Sequence, residues 1–574
     1  MNEFLRNLFD TIRMAKRTEL SNLKYPIFQT NVINNEIHLI LSLYDYNNSL
    51  YMYQGRGETF QTAIESALDT YYNYKIYKPQ SIRIDIIKDI RPAKKSDPFL
   101  DIKNDRILFK TGIDGLAVGK NLDALFLPEE VLLFNLIKDQ KFQVKNIKEA
   151  FNKHYHLPSG EKFIDSLNRV SLLEIYKIRT DTYYIDDYSI NNLNYLSSLA
   201  PQISKDAIME AIILTKDNYF KNVVNKKGKY IYSYLPWEGV KEKRYNILRH
   251  AGTTYSILET FELTGDKELL KICEGAIQFL LEKIINYEFN GKSVNVVVEK
   301  DIIKLGGNAL TIIALAKYTQ ITGDTKFLPL MQSMAEWMVV TQNEEGRFTI
   351  HKQQYSTGKI YDFISHYYPG EAMLALVRLY QIDGNEIWLD IAEKSAYYLI
   401  EIRDKNSNED TIAHDHWLLY ALNELYQQRP QASYLNHGLL IANAIVKSQI
   451  LNDGENNEWN GAYLLPEPRL ESTPTACRSE GLCAVYQLLN NLDNTTDVTK
   501  IKKAIKKAID EGIRFQLRTQ LRPEKVMFYN NKKLCLGAFQ RGLYKYDLRI
   551  DYTQHNISSL ISYYKLLTHK IKNM

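Results

Sequence analysis

The sequence predicts a multidomain protein: an N-terminal α+β domain followed by an all-α six-hairpin ring, an (α/α)6 toroid. Three observations predict it. At 574 residues the chain exceeds what one compact core usually holds, so two or more domains are expected. Near residue 205 the pattern changes from short β-branched runs to long helical ones. Beyond that point a helix–turn–helix unit recurs.

The chain opens with "MNEFLRNLFDTIRMAKRTEL", an amphipathic stretch without the continuous apolar run and cleavage site of a signal peptide. Residues 1–29 are therefore read as a domain-packing helix. "EIHLILSLYDY" and "SIRIDIIKDI" read as strands, and "TFQTAIESALDTYYNY" between them as a helix with Ala63, Ala67 and Tyr71 at four-residue spacing. "ILFKTGIDGLAVGKNLDALFLPEEV" adds short strands punctuated by glycine, which places an α+β domain over 30–155. Residues 156–203 read as a connector containing a strand around "LLEIYKIRTDTYYI". Gly112-Ile113-Asp114-Gly115-Leu116 and Leu127-Pro128-Glu129-Glu130-Val131 resemble the Gly-(His/Asp)-Gly-Leu turn and "LPxV" element of the AMME-syndrome candidate-gene domain family. That family's Arg-Gly-Cys-Ile-Gly segment has only "YQGRGETF" as its counterpart, so the resemblance implies a fold and no chemistry.

The toroid is expected over 204–574. Hairpins turn at Thr264-Gly265-Asp266, Thr322-Gly323-Asp324 and Asp383-Gly384-Asn385, where glycine ends one helix at positive φ and an acid or amide helps start the next. "HWLLYALNELYQQRPQASYLNHGLLIANAIVKSQ" and "EGLCAVYQLLNNLDNTTDVTKIKKAIKKAIDEGI" repeat the form. The final "HNISSLISYYKLL" is a single helix, and "SKDAIMEAIILTKDNYFKNVV" from Ser204 is another; pairing them closes a ring. An open solenoid would need no orphan helix at either end. The arrangement resembles the six-hairpin toroids, which include glycosidases, polysaccharide lyases and sugar epimerases.

Aligning the repeats on their helix starts gathers polar residues at one register. They are Arg249 and His250; Gly306-Gly307-Asn308; His366, Tyr368 and Glu371; Asp415, His416 and Trp417; Arg478 and Glu480; and Arg549, Asp551, Gln554 and His555. In a closed ring they face one another across one mouth, where helix N-termini favour anionic or hydroxyl-rich ligands. Helix capping alone does not require His or Arg at an N-terminal turn. "GLYKYDLRIDYTQHNI" is also similar to the closing Arg-x-Asp-Tyr-His-x-x-His-Ile pattern of the glucuronyl C5-epimerases, with Thr553 in place of the first histidine.

Two chemistries fit. Glycoside hydrolysis needs a protonated acid and a carboxylate, roles for Glu371 and Glu480 with Asp551 or Asp415 as substitutes. Epimerisation or elimination needs a base and an acid about a C–H, roles for His416 and His555. Arg249, Arg478 or Arg549 would bind a uronate carboxylate. The expected substrate is a sugar or glycan, with the arginines suited to an anionic one; a non-catalytic glycan- or protein-binding scaffold is the alternative.

Composition narrows the field further. A net charge of +4 is too small to argue for nucleic acid. No apolar run approaches the length that spans a bilayer, and four cysteines without a CxxC pair suit a reducing compartment, so a cytoplasmic location is expected. Cys477 and Cys483 lack the adjacent histidine of a lanthionine-cyclase zinc site, and one HxH at His414 and His416 lacks matched partners. No P-loop or dinucleotide fingerprint occurs. No metal or cofactor is expected.

Overall fold

The computed structural model describes residues 1–27, 36–47, 49–74, 78–93, 109, 112–119, 122–138, 141–154, 175–193, 203–451, 459–464, 471–490, 492, 495–543 and 545–572. The chain divides into two compact units. One comprises Met1–Ala200, Trp237–Gly239 and Arg522–Lys532; the other comprises Pro201–Pro236, Val240–Leu521 and Lys533–Met574.

The first unit is built on a seven-stranded antiparallel sheet. Its strands are β1 (Ile37–Asp45), β2 (Leu50–Gly57), β3 (Pro79–Ala93), β4 (Gly115–Val118), β5 (Ala124–Phe126), β6 (Ile175–Asp186) and β7 (Ile190–Leu193). The order is β2-β1-β3-β6-β4-β5, with β7 on β6. Every residue of β1 is buried, so both faces of the sheet need cover. Leu39, Leu41 and Leu43 pack on Phe4, Leu8 and Phe9 of helix Asn2–Arg13 and on Ala63, Ala67 and Tyr71 of helix Phe60–Tyr74. Ile40 and Tyr44, on the opposite face, pack with Leu125, Met527 and Phe528.

The N-terminal helix packs into the sheet's core. Two sequence boundaries fall differently in the structure. The stretch read as a connector supplies β6 and β7, with β6 between β3 and β4; its parts at 156–174 and 194–202 lie outside the described residues. Residues 522–532, read as toroid, belong to the first unit. There the buried Arg83 guanidinium pairs with Asp85 and Glu129, each at 2.9 Å, and donates to the Glu524 carbonyl at 2.6 Å.

The second unit is a closed ring. Its six inner helices are Ile247–Thr264, Leu305–Thr322, Tyr368–Asp383, His416–Gln428, Ser472–Asn490 and Ile550–Lys572, called inner helices 1 to 6. Each packs on the next, and inner helix 6 packs on inner helix 1. Outer helices Lys267–Leu281, Leu328–Thr341, Glu386–Tyr397, Ala432–Lys447 and Thr496–Thr519 each lie on the inner helix preceding them. Lys205–Leu214 lies on inner helix 6 and completes the pairing. Inner helix 2 is buried continuously from Leu305 to Thr319, as a helix enclosed on all sides must be.

The turns follow their chemistry. Gly265, Gly323 and Gly384 end inner helices 1 to 3 at φ of 70°, 74° and 68°, and Asp266 and Asn385 cap the helices that follow. Asp324 instead accepts from the Lys326 N–H in the turn, and the next helix starts at Leu328 with proline in its first turn. Connections from an outer helix to the next inner one arrive at the inner helices' N-terminal ends. Several carry strands, such as Ile284–Phe289 paired with Lys292–Glu299, and Ser233–Leu235 paired with Lys545–Arg549. No described helix is long and apolar enough to cross a membrane.

Candidate active site

The first two to three turns of the inner helices place side chains at the mouth of the ring. Asp415 caps inner helix 4, accepting from the Trp417 and Leu418 N–H groups at 3.0 and 3.2 Å, and so fixes the adjacent His416. His416 is 4% exposed and neither ring nitrogen has a hydrogen-bond partner. Its ring lies 5.2 Å from that of His555, edge-on, and 4.9 Å from that of Trp417. Burial, with His555 and Arg478 nearby, holds the His416 imidazole well below its usual protonation range.

His555, in the second turn of inner helix 6, donates from Nδ1 to Glu480 Oε1 at 2.9 Å. Tyr420 donates its hydroxyl to the other Glu480 oxygen at 3.3 Å. Burial works against the His555 imidazolium, but Cys477 and Glu480 outweigh it and hold the group well above the usual histidine value. Burial lifts Glu480 to about 7 although His555 opposes it. Cys477 lies one helical turn before Glu480, and burial raises its thiol. The potential ligand atoms of His416, Cys477, Glu480 and His555 all lie within 4.8 Å of one another, so this set could hold a metal ion.

Glu371 occupies the first turn of inner helix 3, 5% exposed, and its Oε2 has no partner. Gly306 of inner helix 2 makes the room: a Cβ there would stand 2.2 Å from Glu371 Oε2 and 2.5 Å from the Tyr368 ring. Burial, reinforced by Asp415, pushes Glu371 up to about 8, so the acid is predominantly protonated at neutral pH. Asp415 is raised to about 7 by burial, against the pull of Arg403 and the helix N–H groups, and its Oδ2 is likewise unpartnered.

Asp551 is held differently. Arg249 Nε reaches its Oδ2 at 2.7 Å, while Arg549 grips it through Nε at 2.6 Å and a second nitrogen at 2.9 Å. Burial opposes ionisation, but the two guanidiniums keep the carboxyl below its usual value. It is an anchor for two arginines and a poor proton donor. Arg249 also donates to the Tyr232 hydroxyl, and Arg549 stacks 4.4 Å over Tyr552. Arg478, on the same helix as Cys477 and Glu480, donates to His414 Nδ1 and the Pro474 carbonyl at 3.0 Å each. Among the described residues Arg478 forms no ion pair.

Other candidates fall outside this group. His250 is fully buried; its Nε2–H donates to the Ala276 carbonyl at 2.8 Å and its Nδ1 accepts from the Tyr245 hydroxyl at 2.7 Å. Burial lowers it to about 4, so it is a neutral tie between an inner and an outer helix. Asn308 accepts from the Val297 N–H at 2.9 Å and donates to the Lys304 carbonyl at 3.0 Å, binding a strand to inner helix 2. Gln554 is buried against Gly252, where inner helices 6 and 1 meet. His366 is exposed; Tyr368, half-buried beside Phe363 and His351, is the exception, since its ring borders Gly306 together with Glu371. Sequence alignment of helix starts passes over Cys477 and Tyr420, and it gives Tyr367, which it includes, no role. The Cys477-x-x-Glu480 spacing, which puts both side chains on one helix face, is the signal that points to the first.

No protein-family model matches the chain, and no curated protein matches it. Solved structures do align. A D-mannose isomerase shares 14% identity over 63% of this chain and 98% of its own, with a TM-score of 0.48. A cellobiose 2-epimerase from Bacillus thermoamylovorans shares 13% over 63% of this chain and all of its own, also at 0.48. An α-1,6-mannanase from Salegentibacter shares 13% over the same fraction, at 0.44.

Proposed function

We propose that the chain is an enzyme acting on a sugar or glycan by acid–base catalysis at the mouth of the toroid. The observation that carries this reading is Glu371, a buried carboxyl held protonated near neutral pH with one oxygen free of any partner. Its proton suits a glycosidic or carbonyl oxygen of the substrate. The balancing role, taking a proton from a C–H or from water, falls to the cluster of His416, Glu480 and His555. The exposed Tyr367 ring, 6.2 Å from that of His416, and the half-buried Tyr368 offer faces on which a sugar can stack. Arg478, without an acidic partner among the described residues, suits an anionic substituent.

The test is turnover of a panel of reducing sugars and oligosaccharides in deuterated buffer. Deuterium appearing at a ring or chain carbon marks epimerisation or isomerisation; new reducing ends mark hydrolysis. The proposal expects one of these signals, and expects Glu371→Gln to lose it while keeping its circular dichroism. Absence of sugar binding by saturation-transfer NMR, or unchanged turnover in Glu371→Gln, overturns it.

A further inference from the structure

We propose that His416, Cys477, Glu480 and His555 form a binding site for one divalent zinc ion. These residues come from inner helices 4, 5 and 6, which are neighbours in the ring; His416, Cys477 and His555 lie in the first two turns of their helices and Glu480 one turn beyond Cys477. Their potential ligand atoms fall within 4.8 Å of one another. A tetrahedral ion with bonds of about 2.0–2.3 Å has edges of about 3.3–3.8 Å, so small side-chain rotations bring the set into shape.

The donor chemistry selects the ion. Two imidazoles, a thiol and a carboxylate suit zinc, whereas magnesium and calcium take oxygen ligands. The surroundings hold the donors in place. A Cβ at Gly481 would stand 2.7 Å from Leu419 Cδ1 and 3.3 Å from His416 Cα and Cβ, so glycine lets inner helices 4 and 5 approach closely enough to share an ion. Tyr420 fixes Glu480 Oε2 and leaves Oε1 directed at His555, as an outer partner orients a ligating carboxylate. The Asp415 cap fixes the start of the helix that carries His416.

His416 is the independent sign that something binds here. Both of its ring nitrogens are buried and unpartnered, an arrangement that native structures rarely leave uncompensated. Zinc supplies the missing partner for one nitrogen. On binding, Cys477 releases its thiol proton and His555 the proton it shares with Glu480, so ligation is a displacement of protons by the ion. The inference rests on the sugar reading only for what the ion does: a substrate oxygen or water replacing Glu480 at the fourth position would meet a Lewis acid, and the released Glu480 carboxylate would serve as the base. Binding itself stands or falls independently.

The test uses the full chain and zinc alone. After reconstitution and desalting, metal analysis is expected to find about one zinc per chain in the wild type and less than about one tenth in His416→Ala with Cys477→Ser, both folded by circular dichroism. Cobalt substitution is expected to give a thiolate-to-cobalt charge-transfer band that Cys477→Ser loses and Cys483→Ser keeps. Tyr420→Phe is expected to weaken zinc binding by roughly tenfold. A wild type that takes up no zinc, or a stoichiometry unchanged in the double variant, overturns the site. Sugar turnover persisting in zinc-free protein would overturn the ion's role and leave the sugar reading intact; zinc bound at full stoichiometry without any turnover would overturn the sugar reading and leave the binding site intact.

Discussion

His250 and Asn308, at the starts of inner helices 1 and 2, sit near the same register as Glu371 and His416, at the starts of helices 3 and 4. All four are buried. The difference lies in their bonds. His250 has a partner on each ring nitrogen, and Asn308 bonds the backbone through both ends of its amide. Glu371 and His416 are left with atoms that nothing in the described structure satisfies. Since a buried polar atom without a partner costs about 1–3 kcal/mol, the fold bears a penalty at Glu371 and His416 that it avoids at His250 and Asn308.

The comparison is most sharply tested at Glu371. Glu371→Gln keeps the shape and removes the proton, and should lower kcat by about a thousandfold without loss of fold, as measured by turnover beside circular dichroism. The wild-type rate should fall as pH rises through about 8, where Glu371 ionises, and that limb should disappear from the residual activity of the variant. His250→Ala should do the opposite. It strands the Tyr245 hydroxyl and the Ala276 carbonyl and opens a cavity, so chemical denaturation should show a loss of about 2–4 kcal/mol, with kcat per folded molecule unchanged. If the two variants exchanged phenotypes, the distinction would collapse.

A subtler variant separates position from proton. Gly306→Ala leaves Glu371 in place but puts a methyl group where its Oε2 now lies. Displacing the carboxyl by an ångström should cost about ten- to a hundredfold in kcat, with little change in stability. Steady-state kinetics beside a thermal melt would measure both.

How much of this could be read along the chain follows from which forces are local. Helix periodicity and the glycines at 265, 323 and 384 are local, so the repeats and their turns were legible, and an unpaired helix at each end was enough to close the ring. The start of inner helix 4 was legible for the same reason: Asp415 is a cap and His416 follows it. What a residue bonds to across the ring is not local. Nothing near His250 in sequence reveals that Ala276 on an outer helix will occupy its Nε2, and nothing near Asp551 reveals that Arg249, three hundred residues earlier, will join Arg549 on its carboxylate. Cys477 was hidden for a related reason, since its three companions come from different helices or follow it by a turn. The 522–532 segment failed differently: it lies within the toroid sequence, yet Met527 and Phe528 cover a sheet face whose need for cover arises nearly five hundred residues before it.

The smallest expected effect is thermodynamic, and its sign follows from the proton Glu371 retains. Its folded-state value, about 8, lies above the ordinary 4.5. Below about 4.5 the carboxyl is neutral whether the chain is folded or not, and its contribution to stability is complete. Between 4.5 and 8 the unfolded chain ionises while the folded one does not, so folding takes up a proton and stability declines as pH rises. The decline is bounded by one proton, about 1.4 kcal/mol per pH unit, and in a chain this long it should move Tm by about 1–2 °C per unit. Glu371→Gln, which cannot ionise, should show a correspondingly shallower fall of Tm between pH 6 and 8 in differential scanning calorimetry. Equal slopes would mean that Glu371 is already ionised in the folded chain, and would remove the proton donor on which the proposed chemistry depends.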